Sequence, residues 1–229
     1  MDLFPPLTRA ALTGFISGLL LAIPVGPVNL TIINEGARRG FLWALLIGMG
    51  ATLMEVIYCS IAFTGFASMF DNHVVKASME LFSFGFMLFL GIKFLTAKTA
   101  GVGTNLGHRA AFIQQRIDAR LHPHSAFMTG FVRVMGNPGV LLGWIVLSAV
   151  FVSHDWVHPD VPGKLTCVSG VAVATGLWFL FLSYGASRGR GRFSEHALLR
   201  MEHISGVLLL ALAFGHGGYL VWQMAKHKF

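Results

Sequence analysis

Four polar residues lie inside long apolar stretches of the sequence, where side chains that ionise or hydrogen-bond are unusual. Glu55 is the sixteenth residue of the 31-residue run 40–70 and its only charge, and Asn29, Asn137 and Arg133 lie in two other stretches. A carboxyl group can hold a proton or an ammonium group, an amide can bind a carboxylate, and a guanidinium can pair with a carboxylate. The four residues therefore offer the groups needed to bind a small charged solute.

Each of these residues also has a structural interpretation. Glu55 could be a neutral acid that hydrogen-bonds within a helix bundle, although acids inside membranes are functional by default. Asn29 and Asn137 could satisfy backbone groups of their own segment, and Arg133 could extend its guanidinium to the membrane surface. We favour a role for Glu55 as proton carrier or ammonium ligand and a structural role for Arg133, whereas both interpretations of the two asparagines stay open.

Prolines interrupt two of the apolar stretches. Pro24, Gly26 and Pro27 stand together before Asn29, and Pro138 lies in the fourth stretch. Proline lacks an N–H and clashes with the carbonyl four residues earlier, so we expect a non-helical backbone at residues 25–28 and near 137. The carbonyls released in this way would be those of Leu20, Ile23 and Val134. A simple kink is the alternative, but two interruptions at corresponding places favour a substrate site between them.

The composition around these residues is that of a membrane protein. Of the 229 residues, 55% are hydrophobic and only 12% are charged, about half of the charged share of soluble domains. These values exclude a water-soluble or a disordered chain. The net charge of +7 indicates anionic lipid headgroups rather than nucleic acid as partners. The two cysteines, Cys59 and Cys167, are too few for a disulfide framework or a cysteine-rich metal site.

Six apolar segments are long enough to cross a bilayer, which takes about 20 residues in a helix. They are residues 10–34, 40–70, 77–97, 125–154, 165–187 and 203–225. Because the first segment is long and five more follow, we expect it not to be cleaved as a signal peptide. Glu80 and Glu202 are placed in the first turns of the third and sixth segments, where acids complement the helix dipole. Close helix contacts are expected at the small-residue patterns Gly14-x-x-x-Gly18 and Gly48-x-Gly50-Ala51.

Lysine and arginine are distributed unequally between the two sides of these segments. Ten lie on the side that holds the loop 99–124, against five on the side of both termini, which predicts both termini outside the cell. Residues 112–121 of that loop place apolar and basic side chains at helical spacing. They predict a short amphipathic helix on the cytoplasmic membrane surface.

The two halves of the sequence resemble each other weakly. A shift of 122 residues lays Glu80 on Glu202 and Ser83 on Ser205. Each half has three apolar segments, an odd number, so the second half must be inverted in the membrane. We therefore predict an all-α integral membrane protein of six transmembrane helices in two inverted three-helix repeats, with helices 1 and 4 broken by proline. The first repeat covers residues 1–98, the basic loop 99–124, and the second repeat 125–229.

The first segment carries the motifs Pro24-x-Gly26-Pro27-x-Asn29-Leu30 and Asn34-x-Gly36-x-Arg38-Arg39. They resemble the first-span signature of the LysE/RhtB family of amino-acid exporters, and Glu55 and Asn137-Pro138 match its second-span acid and fourth-span Asn-Pro. The resemblance implies a secondary transporter of the bacterial inner (cytoplasmic) membrane that exports amino acids or related small metabolites in exchange for protons. Exporters of basic amino acids carry a further acid shortly after Asn-Pro, where this chain has Gly143 and Trp144, so the resemblance favours neutral amino acids.

Other functions fit the residues less well. A transition-metal or other small-ion efflux protein, the main alternative, needs acids or histidines grouped at mid-membrane, whereas Glu55 stands alone there and paired histidines occur only in loops. We therefore predict neither a metal site nor a cofactor. A thiol–disulfide carrier needs cysteines at matching positions of the two halves, but Cys59 shifted by 122 residues lands on Phe181. An enzyme is not expected, because the sequence offers no nucleophile–base pair; whether the chain forms a homo-oligomer stays open.

Overall fold

The computed structural model describes residues 5–24, 26–65, 73–98, 125–188 and 195–226. Within these ranges the chain forms eight α-helices and no strand. The helices are α1 (Pro6–Ala22), α2 (Pro27–Arg39), α3 (Phe41–Gly65), α4 (His73–Leu95), α5 (Ala126–Met135), α6 (Pro138–Ser153), α7 (Val161–Arg188) and α8 (Glu195–Lys226). The amphipathic helix predicted for residues 112–121 lies outside the described residues.

Several of these helices are long and apolar enough to cross a membrane. Three segments are long and apolar enough by themselves, namely Phe41–Thr64 in α3, Val161–Arg188 in α7 and His196–Trp222 in α8. Two pairs of helices are long and apolar enough only when each pair is counted together. α1 and α2 are bent by 72° relative to each other, and α5 and α6 by 63°. By length and composition the described chain has three spans, or up to five if each bent pair counts as one. The predicted all-α membrane protein is confirmed. α4, the predicted third span, is not among the helices found long and apolar enough to cross a membrane.

Both bent pairs break at the prolines that the sequence singles out. α2 begins at Pro27, after Gly26 in an extended conformation with φ -108° and ψ -177°, and α6 begins at Pro138. A proline in the first helical position costs no hydrogen bond, because the N–H it lacks would have no partner within the helix. Pro27 and Val28 are therefore already helical, and the first break ends earlier than the predicted residues 25–28.

At the second break, more backbone carbonyls have hydrogen-bond donors than we expect from the position of the proline. This position predicts a released carbonyl at Val134, but the N–H of Asn137 donates to this oxygen at 3.0 Å. The N–H of Gly136 donates to the Val132 carbonyl at 2.8 Å. α5 thus ends in a tight turn before the proline is reached, and the prediction of a released Val134 carbonyl is wrong.

Helices from the two halves of the chain pack against each other along glycines. α1 lies along α7, α3 contacts both α5 and α7, and α4 pairs with α8. A Cβ atom on Gly14 would overlap the backbone carbonyl of Cys167, and one on Gly130 would overlap that of Ile47. Small residues at such positions let two helix backbones approach without a side chain between them. The close contact predicted at Gly14 is confirmed.

Replacing Gly130 by alanine is expected to destabilise the folded protein strongly. The added methyl group would overlap the Ile47 carbonyl, a backbone group that cannot rotate away, and overpacking of this kind costs about 1–3 kcal/mol or more. Gly176→Ala is the matched control, because a Cβ atom there meets nothing within 4 Å. Thermal unfolding in detergent should give a lower midpoint for Gly130→Ala only, and equal midpoints would contradict the close contact.

Glu80 and Glu202 occupy corresponding places in α4 and α8. α4 begins at His73 and α8 at Glu195, so each of the two acids is the eighth residue of its helix. Their exposed fractions are 7% and 0%. The dipole interpretation is wrong, because that effect fades beyond the first turn of a helix. Glu202 instead interacts electrostatically with Lys93 of α4.

Candidate functional site

A small cavity lies between the two helix breaks. Its volume is about 40 Å³, which is enough for a few water molecules but not for an amino acid. Residues from six helices and both breaks line it: Leu21, Ala22, Pro24, Gly26, Pro27, Val28, Asn29, Glu55, Val134, Asn137, Val140 and Phe179. The cavity therefore joins the two breaks to the acid of α3.

Most of the residues predicted for the site meet at this cavity. Those that line it are Asn29, Glu55, Asn137, Pro24, Gly26 and Pro27. Pro138 is the first residue of α6, one position after Asn137. Arg133 is not among the described residues that line the cavity. It lies in the last turn of α5, where a cation complements the helix dipole.

Glu55 is a buried acid with a close hydrogen-bond partner. Its side chain lies on α3, and the residue is 4% exposed. Its Oε2 accepts a hydrogen bond from the indole Nε1–H of Trp144 in α6, at 2.5 Å. Such a donor offsets part of the cost of removing a carboxyl group from water. The bond also ties α3 to the helix that begins at the second break.

Asn29 holds the first break in shape. Its side-chain nitrogen donates to the carbonyls of Ala22 and Pro24, at 2.9 and 2.8 Å, and its oxygen accepts from the indole Nε1–H of Trp178 in α7, at 3.4 Å. A primary amide has two N–H groups, and both are engaged with the backbone of the break. In this conformation the structural interpretation of Asn29 is favoured.

Asn137 and Tyr58 hold the second break. Oδ1 of Asn137 accepts a hydrogen bond from the Gly139 N–H at 3.1 Å, which is the usual arrangement of a helix N-cap. The Tyr58 hydroxyl donates to the Met135 carbonyl at 2.7 Å. Tyr58 lies three residues after Glu55 in α3, so the two side chains extend from the same helical face.

Three aromatic donors at this site escape prediction from the sequence patterns, namely Tyr58, Trp144 and Trp178. Each carries one N–H or O–H group on a large apolar ring, and such groups usually find a partner when they are buried. Their position inside apolar segments was the available signal. It identifies donors that need an acceptor, but it does not say which acceptor they meet.

A larger cavity follows the small one along α1 and α6. Its volume is about 350 Å³, which is within the range of ligand pockets. Along α1 its wall ends at Leu20, next to Leu21 of the small cavity. Along α6, Val140 lines the small cavity and Leu147 lines the larger one, with Trp144 between them on the same helical face. The polar residues of its wall are Arg9, Thr13 and Ser17.

The LysE type translocator family matches residues 19–216. This range contains both helix breaks, Glu55 and every residue that lines the small cavity. The chain belongs to the LysE family. LysE family translocators are transporters, so the protein is a multi-pass membrane protein of a bacterial transporter family. The resemblance seen in the first-span motif is confirmed.

Two curated relatives of this LysE translocator cover nearly the whole chain. A Bacillus subtilis (strain 168) protein named "Putative amino acid efflux protein YcgF" is 26% identical over 211 residues, which are 90% of this chain and 94% of that protein. An Aeromonas salmonicida protein named "Putative amino-acid transporter YggA" is 27% identical over 210 residues, which are 88% of this chain and 92% of that protein. No solved structure matches the chain.

Metal-binding side chains are not grouped in the described part of the LysE translocator. Among those residues, no set of three or more His, Cys, Asp or Glu side chains is placed to hold an ion. Cys59 and Cys167 are both free and buried, and their side chains lie near each other. The acid at the small cavity is Glu55, whose partner is the Trp144 indole.

Proposed function

We propose that this LysE family translocator exports neutral amino acids, or related small amphipathic solutes, in exchange for protons. The observation that carries the proposal is the buried carboxyl group of Glu55 in a cavity between two helix breaks. The two relatives are named for amino acid efflux and amino-acid transport, which supports the class of substrate.

The cavity complements a solute that carries one positive and one negative charge. α2 and α6 both begin at the cavity, and a helix N-terminus has a partial positive charge that stabilises a carboxylate. Glu55, when ionised, offers a negative charge to an ammonium group. An amino acid has its carboxylate and its ammonium group on one carbon atom. It can therefore place the carboxylate at the helix N-termini and the ammonium group at Glu55 within one small site.

A single acid favours neutral over basic substrates. Glu55 is the one acidic residue among the described residues that line the cavity. A lysine or arginine substrate would bring a second positive charge, and burying it without a partner is costly. Trp144 lies in the region after Asn-Pro where the basic exporters of the family carry an acid, and its indole N–H binds Glu55.

Proton coupling follows if Glu55 alternates between two partners. A carboxyl group that holds a proton has lost the negative charge that attracts an ammonium group. Protonation from the outer side would therefore release the substrate there, and loss of the proton to the cytoplasm would restore the binding charge. Intramembrane acids serve as proton carriers in many transporters.

Substrate access requires the two breaks to move apart, because the 40 Å³ cavity does not hold an amino acid. Ile23, Pro24 and Gly26 lie between α1 and α2 and outside both helices, so this connection can act as a hinge. The larger cavity provides the path on the other side of Trp144. On the predicted topology this path leads to the outside, so Trp144 is the gate between the site and the outer surface.

The same proposal includes six spans in two inverted repeats, with α4 as the third span and both termini outside the bacterial inner membrane. When α1 is matched with α5 and α3 with α7, the packing of α1 on α7 corresponds to the packing of α5 on α3. Glu80 and Glu202 occupy equal positions in α4 and α8. The excess of lysine and arginine on one side supports the orientation.

Cysteine labelling is expected to distinguish the two sides of the membrane. Val161 and His196 are exposed residues at the starts of α7 and α8, which the proposal puts outside and inside. In intact cells a membrane-impermeant maleimide should therefore label Val161→Cys and not His196→Cys. Background labelling should be low, because both native cysteines are buried. The reverse pattern would invert the topology, and labelling of both positions would contradict α7 as a span.

Counterflow in proteoliposomes tests the function. Vesicles with the purified protein are loaded with one unlabelled amino acid and given a trace of a labelled neutral, acidic or basic amino acid outside. We expect labelled neutral amino acids to accumulate above the level of protein-free vesicles, and lysine and arginine to remain at that level. Equal accumulation of lysine would contradict the preference for neutral substrates. Accumulation of a divalent metal ion without that of any amino acid would support metal efflux instead.

A further inference from the structure

A basic recess lies where α4 ends and α8 begins. Its volume is about 380 Å³, and it is lined by Ala97, Lys98, His196, Leu199, Arg200 and His203. Four of these six side chains carry or can accept a positive charge, and none of the six is acidic. A concave surface with charge of one sign concentrates ions of the opposite sign.

A contact between the two helices holds this recess in place. Nε2 of His203 on α8 lies 3.0 Å from the backbone carbonyl oxygen of Ala97, just after the end of α4. Glu202, the acid next to His203, is fully buried and interacts with Lys93. Lys98 and Arg200, in contrast, are exposed, and Glu202 is not among the residues that line the recess. The recess keeps a positive surface although an acid is adjacent in the sequence.

Exposed apolar residues follow the recess along α8. Ile204 and Leu208 follow Arg200 at four-residue spacing, so the three side chains lie on one face of α8. Ile204 is 53% and Leu208 50% exposed, and on α4 Ile92 and Leu95 are exposed as well. A cation at the end of a membrane helix, followed by an apolar face, matches the order of phosphate and acyl chain in a phospholipid.

We propose that this basic recess binds the headgroup of an anionic phospholipid, with the phosphate at Lys98 and Arg200 and an acyl chain along Ile204 and Leu208. The recess lies at the first turns of a helix that is apolar and long enough to cross a membrane. Basic pockets between membrane helices recognise such headgroups. A soluble phosphate compound would use the two cations but not the apolar face, so the lipid is the occupant that uses the whole surface.

Native mass spectrometry of the purified full-length protein tests this site. The protein in mild detergent is titrated with dioleoylphosphatidylglycerol, or with dioleoylphosphatidylcholine, which has the same chains and no net charge. We expect tighter binding of phosphatidylglycerol. The double variant Lys98→Gln/Arg200→Gln should weaken this binding about 10- to 30-fold, because each basic residue near an anionic headgroup contributes roughly a factor of five.

The matched control is the double variant Arg38→Gln/Arg188→Gln, which removes two exposed charges at the ends of α2 and α7, outside the recess. It should bind phosphatidylglycerol as the wild type does, and Lys98→Arg/Arg200→Lys should restore binding because both charges return. Equal affinity of the wild type for the two lipids would overturn the proposal, as would equal weakening by the control or failure of the restoring variant. Displacement of the lipid by glycerol phosphate at equal affinity would identify a soluble phosphate site instead.

Discussion

Replacing Glu55 by glutamine is expected to reduce export driven by a pH gradient to the level of protein-free vesicles, while the protein still folds. Glutamine keeps the size of the side chain, and its carbonyl oxygen can still accept the hydrogen bond from Trp144. It cannot release or bind a proton in the physiological range and has no negative charge for an ammonium group. The variant therefore loses the group that alternates between substrate and proton.

The measurement is efflux of a labelled neutral amino acid from proteoliposomes with an imposed pH gradient. Glu35→Gln is the matched control, because Glu35 is an acid at the partly exposed end of α2 that pairs with Arg39 at 2.9 Å. Its removal should leave export close to the wild-type rate. If the Glu55→Gln protein exports at that rate as well, Glu55 is a packing residue and another group couples transport to protons.

Replacing Asn29 by alanine is expected to destabilise the protein strongly. The change leaves the carbonyls of Ala22 and Pro24 without the amide donors that they have at 2.9 and 2.8 Å. Each buried acceptor that loses its partner costs about 1–3 kcal/mol. Together the two losses are a large part of a typical free energy of unfolding, about 5–15 kcal/mol.

Thermal unfolding in detergent measures this effect, with Asn34→Ala as the control on the exposed side of α2. Asn29→Asp is the sharper variant, because it keeps the shape of the side chain but replaces both N–H donors by an acceptor that repels the two carbonyls. We expect Asn29→Asp to be at least as unstable as Asn29→Ala. Equal midpoints for the variants at positions 29 and 34 would show that Asn29 does not hold the break.

The helix breaks and the burial of Glu55 could be predicted because both depend on local sequence. Proline fixes where a helix cannot continue, whatever surrounds it, so both breaks are found within a few residues of their motifs. An acid in the middle of a 31-residue apolar run must be buried on any register of the helix. Local rules of this kind need no knowledge of neighbouring helices.

The hydrogen-bond partners at the cavity could not be predicted in this way. Trp144 lies 89 positions after Glu55, and Trp178 lies 149 positions after Asn29. α3, α6 and α7 are apolar on all sides, so their sequences carry no stripe that marks the face turned towards a neighbour. The contacts depend on how whole helices pack, which only the structure gives.

The errors at Glu80 and Glu202 have a different physical origin. The prediction equates the ends of the apolar segments with the ends of the helices, but α4 and α8 both begin before those segments, at His73 and Glu195. Polar residues outside the hydrocarbon layer can extend a membrane helix without any cost of burial. The edge of an apolar run therefore does not locate the first turn of the helix.

The hydrogen bonds of Asn29 also matter while the chain is being made. Its two backbone acceptors are only seven and five positions away, whereas α7, on which α1 packs, begins 155 residues after α1. At about 5–20 residues per second, the ribosome reaches α7 roughly 8 to 30 s later. Unpaired carbonyls would be costly in lipid during that interval. Because Asn29 satisfies them from within the same bent helix pair, the proposed first span can stay in the bilayer before its final neighbour has been synthesised.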